Sequence, residues 1–292
     1  MTASSGGRSA ARPAPIDDLG RFAVHTITTK PWPIEQAIDA YARAGFGGIS
    51  VWRDALGGRD VQKVRAQLRS AGLRGVSLVR GGFFAHSDPA ARSRALEDNR
   101  RAIDEAASLE LPLIVLVCGA DPQLGLVESR RMIADAIAEL TPEAAAAGVR
   151  LGIEPLHPMY ADTRSAVNTL AQANQIAAQI NRASGADGQV CSVVDVYHLW
   201  WDPDLAGQIQ RAGDDSILGA FHVCDWRVPT EHMLLDRGLM GEGCIDIPQI
   251  RGWVERAGFD GLIEVEIFSE RYWKLDQDEW LAAVARACRS AV

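Results

Sequence analysis

The sequence lacks any apolar run near the roughly 20 residues of a membrane-spanning helix, so we expect a protein that does not cross a membrane. It also lacks a dense block of Lys or Arg, and its net charge is −8. That charge disfavours nucleic acid and anionic membranes as partners. Its five cysteines form no C-x-x-C pair. An odd, scattered set is typical of reduced thiols, which predicts a cytoplasmic protein.

An apolar signal segment is missing from the first eighteen residues, which are rich in Ala, Ser, Arg, Gly and Pro. This composition cannot build a core and predicts a disordered tail over residues 1–18. The remaining residues 19–292 show no break in composition, and hydrophobic residues make up 47% of the chain. We therefore expect a single globular domain after the tail.

Eight apolar segments of strand length alternate with eight helical patterns along residues 19–292. The predicted strands cover residues 22–28, 48–52, 75–79, 113–117, 150–154, 191–195, 218–222 and 261–266. The predicted helices cover residues 33–44, 61–71, 89–109, 127–147, 164–181, 203–212, 248–257 and 278–291. Eight βα units predict a (β/α)8 TIM barrel, a fold that typically takes about 250 residues. An open doubly wound sheet is the alternative, but no G-x-G-x-x-G phosphate loop follows the first strand.

The last four predicted strands each end in a residue that can bind a metal ion. These residues are Glu154, Asp195, His222 and Glu266. Because the carboxyl ends of barrel strands meet at one face, we expect the four side chains to converge there. Three carboxylates and one imidazole suit Mn²⁺, Mg²⁺, Co²⁺ or Zn²⁺. Glu264 shares the face of Glu266 one layer deeper in the barrel, so it needs a partner of its own.

Other polar and aromatic residues stand close to the predicted strand ends. His198 follows Asp195 by three residues and is either a hydrogen-bonding partner of the substrate or a loop histidine with an internal partner. Arg227 is either a clamp for a substrate oxygen or a surface arginine. His157, His25 and Trp52 fit substrate contact and simple packing equally well. Residues 228–247 form a long glycine-containing connection, which predicts a lid or substrate loop.

Several short motifs resemble those of the xylose-isomerase-like barrel superfamily of sugar isomerases and epimerases. They are Gly152-Ile153-Glu154-Pro155, Asp195-Val196-Tyr197-His198, His222-Val223-Cys224-Asp225 and Gly241-Glu242-Gly243. The resemblance implies that Glu154, Asp195, His222 and Glu266 bind one divalent metal, manganese before the alternatives. It also implies that Glu154 and Glu266 are the acid/base pair. Substrate contacts are implied for His198 and Arg227.

The resemblance implies an isomerase or epimerase that abstracts a proton next to the carbonyl of a ketose or keto-sugar, through an enediolate. An alternative on the same site is a lyase that cleaves a 3-keto-glycoside, including C-glycosides, by β-elimination. A third possibility is a barrel that binds sugars without catalysis. A small sugar is the expected partner in each case, and the sequence leaves a homo-oligomer open.

Overall fold

The computed structural model describes residues 12–292, and these form a closed barrel. The strands are β1 (Phe22–His25), β2 (Gly48–Trp52), β3 (Arg74–Gly82), β4 (Leu113–Val117), β5 (Arg150–Glu154), β6 (Val190–Asp195), β7 (Leu218–Val223), β8 (Asp225–Trp226), β9 (Arg237–Gly238) and β10 (Ile263–Val265). Eight of them are parallel neighbours in the circular order β1-β2-β3-β4-β5-β6-β7-β10. The predicted (β/α)8 barrel is therefore confirmed, and β8 and β9 form a separate antiparallel hairpin.

Helices follow the barrel strands and cover the outside of the sheet. They are α1 (Ile34–Ala44), α2 (Arg53–Leu56), α3 (Val61–Ala71), α4 (Pro89–Leu109), α5 (Leu126–Ala146), α6 (Leu170–Ser184), α7 (Val196–Leu199), α8 (Leu205–Asp214), α9 (Ile247–Arg256) and α10 (Gln277–Ala291). Both α1 and α3 end at a glycine with positive φ, 90° at Gly45 and 72° at Gly72, which residues with a β-carbon rarely adopt. No helix in residues 12–292 is long and apolar enough to span a membrane.

Three predicted elements are clearly shorter in the structure, among them the last barrel strand, which covers Ile263–Val265 instead of 261–266. The first strand ends at His25 instead of residue 28 and continues as a 3₁₀ turn, Thr26–Thr29. Thr28 holds this turn, since its hydroxyl donates to the Val265 carbonyl and accepts from the Ile267 N–H. The helix predicted over 164–181 begins at Leu170, with Thr169 as its N-cap.

The barrel interior contains an apolar layer that is separate from the larger core between strands and helices. Its members are Val79, Leu113, Val115, Cys191, Val193 and Ala220. Neighbouring strand residues such as Leu78, Ile114 and Val194 belong to the larger core instead. This alternation is expected of strands whose two faces are both buried. Trp52 packs on the inner layer at the end of β2.

Residues 12–18 correct the predicted boundary of the tail. They form neither helix nor strand, but they contact the outer helices of the barrel. Arg12 pairs with Asp246 at 2.5 Å, and Arg289 donates to the Asp17 carbonyl at 3.0 Å. Arg251 donates both to the Ala14 carbonyl and to Val292. Residues 12–18 thus contact the barrel although the sequence predicts them to be part of the tail; residues 1–11 lie outside the described residues.

Candidate metal and substrate site

Four acidic and imidazole side chains converge at the carboxyl ends of consecutive barrel strands. Glu154 and Asp195 are the last residues of β5 and β6, His222 lies in β7, and Glu266 follows β10. One ligand atom from each lies within 4.8 Å of the ligand atoms of the other three. All four residues are at most 4% exposed. The structure thus brings together the four residues predicted to bind a metal.

Strand register explains this convergence. Asp195 is the β-sheet partner of His222, and His222 is in turn the partner of Glu264. The His222 Nδ1 atom lies 3.1 Å from the Glu154 Oε1 atom. Because the strands of a barrel are tilted, register partners are staggered along the barrel axis. Glu264, the partner of His222, therefore lies below the layer that the four strand-end side chains share at the barrel mouth.

Glu264 lies one layer deeper and has its own partners, as the alternation of side chains predicts. Its Oε2 atom accepts hydrogen bonds from the hydroxyls of Ser50 at 2.5 Å and Ser77 at 3.0 Å. The His25 Nε2 atom is 3.1 Å from the same oxygen. Burial raises the pKa of Glu264, but His222 and His25 outweigh it and the pKa is lowered. Glu264 is therefore a buried carboxylate that supports the ligand layer from below.

His25, for which the sequence leaves substrate contact and packing open, lies fully buried between Glu264 in β10 and Glu266 just beyond that strand. Its Nδ1 atom is 3.0 Å from Glu266 Oε1, and its Nε2 atom contacts Glu264. Burial lowers the pKa of His25, but the two carboxylates raise it further, so the net shift is upward. In this position His25 orients the glutamates and does not face the cavity above them.

An arginine that the sequence did not single out lies on the ligand group. The Arg237 Nη1 atom is 2.9 Å from Glu266 Oε2 and 3.1 Å from Asp195 Oδ2, and its side chain is only 3% exposed. The Arg237 guanidinium also lies over the rings of Tyr197 and Phe268, with its carbon 4.5 and 5.0 Å from their centroids. A buried cation in this position balances part of the negative charge of the carboxylates.

Burial and neighbouring charges shift the pKa values of the two carboxyl groups that Arg237 contacts, and they shift them in opposite directions. Burial raises the pKa of Asp195 to about 7, with Arg237 opposing the shift and the nearby glutamates adding to it. Burial also raises the pKa of Glu266, but His25 and Arg237 outweigh it and hold the pKa well below its usual range. Glu266 is thus ionised at neutral pH, as a proton acceptor must be.

His198 stands beside this group in the short helix α7. Its Nε2 atom is 3.1 Å from Arg237 Nη2 and 3.7 Å from Asp195 Oδ2. Burial, together with the charge of Arg237, lowers the pKa of His198 well below its ordinary value. The imidazole is therefore neutral at neutral pH, and its ring can exchange hydrogen bonds with a polar ligand.

A cavity of about 20 Å³ lies over the ligand group, room for little more than one water molecule. Glu154, Glu266, His198 and Arg237 line it together with Trp52. Its further lining residues, which sequence reasoning missed, are Val117, Leu156, Tyr160, Arg164, Leu234 and Phe268. Trp52 and His198 are thus found where the sequence predicted substrate contacts.

His157 and Arg227 lie outside this cavity. The His157 ring packs 5.2 Å from the Trp226 ring, and the His157 backbone N–H donates to His198 Nδ1. Arg227 forms an ion pair with Asp236. Hairpin pairing places Trp226 opposite Arg237, so the arginine that enters the site is Arg237. Direct substrate contact by His157 and Arg227 remains a prediction that this arrangement does not support.

The connection that carries Arg237 is held by one buried carboxylate. Asp225 accepts four backbone hydrogen bonds at 2.8–3.0 Å, from the N–H groups of Trp226, Gly241, Gly243 and Ile245. A β-carbon on Gly243 would lie 2.1 Å from the Trp226 carbonyl oxygen, which explains the glycine. Further along, the hydroxyls of Tyr160 and Tyr197 both donate to the Met233 carbonyl. These contacts fix the predicted lid over the site.

The donor set fits a divalent cation. Three carboxylates and one imidazole offer oxygen and nitrogen ligands at a spacing that one ion can bridge. His25 beneath the set lies 3.0 Å from Glu266 and 3.1 Å from Glu264, so it links one ligand residue to a buried carboxylate, as the outer partners of metal ligands do in proteins.

A family model for xylose isomerase-like TIM barrels matches residues 38–291, nearly all of the barrel. The chain belongs to this family. Among curated proteins, the inosose isomerase of Halalkalibacterium halodurans is 24% identical over 201 residues, which are 68% of this chain and 67% of the isomerase. The 3-dehydroshikimate dehydratase of Pseudomonas aeruginosa is 28% identical over 258 residues, 82% of this chain but 37% of the dehydratase.

Solved structures of the xylose isomerase-like barrel family agree with this architecture. A protein of Sinorhizobium meliloti 1021 is 42% identical, with a TM-score of 0.89 that covers 94% of this chain and 98% of that one. The IolI protein, crystallised with a zinc atom, has a TM-score of 0.79 at 19% identity and covers 91% of this chain and 95% of its own. At that identity the IolI likeness establishes the fold.

Proposed function

We propose that this chain is a divalent-metal-dependent isomerase or epimerase that acts on a ketose or keto-sugar by proton transfer next to the carbonyl. The observation that carries the proposal is the convergence of Glu154, Asp195, His222 and Glu266 within 4.8 Å at the barrel mouth. The family's inosose isomerase supports the reaction type. Manganese is the proposed ion, with magnesium, cobalt and zinc as alternatives; the zinc of the IolI structure supports a divalent ion.

Glu154, Asp195, His222 and Glu266 would hold the cation. When bound, the cation would supply Lewis-acid stabilisation of negative charge on substrate oxygens as the enediolate forms. Glu266, ionised at neutral pH, would accept the proton from carbon, and Glu154, on the other side of the mouth, would return one. His198 and Arg237 would bind substrate hydroxyl or carbonyl oxygens, and the lid would exclude water.

The proposal is tested by incubating the metal-loaded protein with D-fructose and with an inosose in deuterated water. Proton transfer through solvent-exchangeable glutamates should place deuterium on the carbon next to the carbonyl, visible by NMR. Glu266→Gln keeps a ligand oxygen but removes the base, so turnover should fall about 10²- to 10⁴-fold while metal content stays near that of the parent protein. The matched control is Glu242→Gln, an exposed glutamate outside the ligand group. Unchanged turnover in Glu266→Gln would remove this residue from the mechanism.

Lyase activity is the second candidate. The dehydratase relative carries out an elimination, which the same metal and base could support on a 3-keto-glycoside. Trp52 at the cavity and the Trp226 and Trp201 rings around His157 provide aromatic surface for a leaving group. Mass spectrometry separates the two reactions, because an isomerase gives a product of equal mass and a lyase releases a fragment.

A further inference from the structure

A second, larger cavity adjoins the candidate site at the ends of β2 and β3. Its volume is about 540 Å³, and Trp52 lines both this cavity and the small one over the ligand group. Arginines contribute much of its wall, among them Arg53, Arg80, Arg94 and Arg101. Such a concentration of cations is unexpected in a chain with a net charge of −8.

Most of these arginines have acidic partners. Arg53 is 2.8 Å from Asp98 and 2.7 Å from Glu105, and Arg101 is 3.0 Å from Asp98. Arg94 lies 3.6 Å from Asp88. Their charges are therefore largely balanced within the protein.

Arg80 and Arg164 differ, because within residues 12–292 neither guanidinium has an ion-pair or hydrogen-bond partner. Both are half-buried. The Arg80 guanidinium lies over the Phe83 ring, 4.2 Å from its centroid, and Arg164 lies 5.9 Å from the Tyr160 centroid. Arg164 lines the small cavity beside Glu154 and Glu266, whereas Arg80 lines the large one. The Phe83 ring packs on the buried cluster that contains Tyr160, so the two arginines lie over neighbouring aromatic rings.

Two half-buried arginines without acidic partners are costly unless an anion compensates them. Burial lowers the pKa of Arg80, and the positive charges of Arg164 and Arg53 lower it further, while Asp54 and Asp98 oppose the shift. An arrangement of this kind, in a cavity next to a reactive centre, is typical of a binding site for the opposite charge.

We propose that Arg80 and Arg164 bind an anionic oxygen group, a carboxylate or a phosphate, at the end of the substrate away from the ligand group. The substrate is then an acidic or phosphorylated keto-sugar and not a neutral one. Guanidinium groups suit this task because they donate two parallel hydrogen bonds to such an anion. The inference rests on the proposed function, which supplies the chemistry at the carbonyl end.

Three ketoses that differ only at carbon 6 test the proposal: D-fructose, D-fructuronate and D-fructose 6-phosphate. Their affinities for the metal-loaded protein are measured by calorimetry at low and high salt. One charge-assisted hydrogen bond is worth about tenfold or more in affinity, so at least one anionic ketose should bind at least about tenfold tighter than D-fructose. The tighter of the two identifies the anion as carboxylate or phosphate. Equal affinities for all three ketoses, or no binding, would overturn the proposal.

Arginine variants show which residues cause the tighter binding of the anionic ketose. In the double variant Arg80→Gln with Arg164→Gln, the advantage of the anionic ketose should fall to about one, with metal content unchanged. Arg80→Lys keeps the charge and should retain part of the advantage, which guards against misfolding as the cause. Arg101→Gln is the matched control, because Arg101 lines the same cavity but already pairs with Asp98. An equal loss in this control would show a diffuse positive field and overturn the assignment.

The two hypotheses fail separately. Deuterium incorporation without any preference for anionic ketoses would leave the proposed isomerase intact and remove the anion site. A preference that depends on Arg80 and Arg164, without deuterium incorporation into any ketose, would support the anion site and contradict the proposed reaction.

Discussion

Arg237 is the residue on which the charge balance of the candidate site depends most. Its guanidinium contacts Asp195 and Glu266, two of the four acidic and imidazole groups that would hold a cation. A bound divalent ion and this arginine therefore neutralise the same carboxylates. The arginine matters most to stability when no metal is bound, because the buried carboxylates then have few other positive partners.

We expect Arg237→Met to destabilise the metal-free protein by about 3–5 kcal/mol, the usual cost of breaking a buried ion pair. Manganese should recover part of that loss, so the rise in melting temperature on adding Mn²⁺ should be larger in the variant than in the parent. Scanning calorimetry with chelator and with metal measures both values. Arg227→Met, at the partly buried neighbouring ion pair with Asp236, is the control. An identical metal-induced rise in parent and variant would contradict this role.

The pKa of His222 predicts how many protons are released when a metal ion binds at a given pH. Burial lowers its pKa, but Glu264, Glu154 and Glu266 raise it to about 10, so the metal-free protein holds a proton there at neutral pH. A metal ligand must be neutral, and binding therefore releases this proton. At pH 8 we expect about one proton released per ion. Toward pH 6 the number should rise, because Asp195, with a pKa of about 7, is then protonated too.

Metal affinity should accordingly weaken as the pH falls, by about tenfold for each proton released per pH unit. Calorimetry in buffers of different ionisation enthalpy counts the protons directly. Binding at pH 8 without proton release would show that His222 is neutral before the metal arrives.

The convergence of the four strand-end residues could be predicted from the sequence, whereas the position of Arg237 could not. An apolar run of strand length contains each of Glu154, Asp195 and His222, and the end of each run can be recognised in the sequence. Arg237 lies in a strand of two residues, too short to show a periodicity. Proximity to His222 favoured Arg227, but the hairpin pairs Trp226 with Arg237 and leaves Arg227 to Asp236. The sequence indicates Arg237 only by its place in Asp236-Arg237-Gly238, shortly before the Gly241-Glu242-Gly243 motif.

Among the elements, the connection from β8 to α9 depends on the Asp225 carboxylate. We expect Asp225→Asn to cost at least about 2 kcal/mol, because an amide keeps one acceptor oxygen and turns two donors toward backbone N–H groups that need acceptors. Hydrogen exchange at Gly241 and Gly243 should speed up, and Arg237 should lose its fixed position. Chemical denaturation and amide exchange measure these effects.

Asp246→Asn provides the comparison for Asp225→Asn. Asp246 is the N-cap of α9 in the same connection, and asparagine caps a helix about as well as aspartate. We therefore expect little change in stability there. If both variants lost the same stability, the four hydrogen bonds of Asp225 would not be what orders the connection.

Elements with regular periodicity were predicted well, and those fixed by distant contacts were not. The sequence predicts α6 to start six residues earlier than it does. Residues 165–167 pair with other loops instead of joining the helix. Ser165 forms a β-bridge with Gly119, and the Val167 carbonyl accepts a hydrogen bond from the Leu156 N–H. Likewise, β1 ends early because the Thr28 hydroxyl forms hydrogen bonds with the backbone of Val265 and Ile267, which are more than 200 residues later in the sequence. Neither cause is visible in a local window of sequence.

At the scale of the whole molecule, residues 12–18 join the two ends of the chain through Arg251, which contacts both Ala14 and Val292. We expect a deletion of residues 1–18 to lower the melting temperature by several degrees, since about 1 kcal/mol corresponds to about 2–4 °C in a domain of this size. A deletion of residues 1–11 keeps these contacts, so its melting temperature should be higher than that of the longer deletion. Equal melting temperatures for the two truncated proteins would show that residues 12–18 contribute nothing to stability.

Closure of the barrel has a consequence for synthesis of the protein on the ribosome. β1 pairs with β10, and the hydrogen-bonded residues His25 and Glu264 are 239 positions apart. Until the last tenth of the chain emerges, β1 and β7 are open edges of an incomplete sheet, which invite pairing with other nascent chains. Glu266 also arrives with that final segment. A metal ion bound by all four side chains would therefore mark a chain whose barrel has closed.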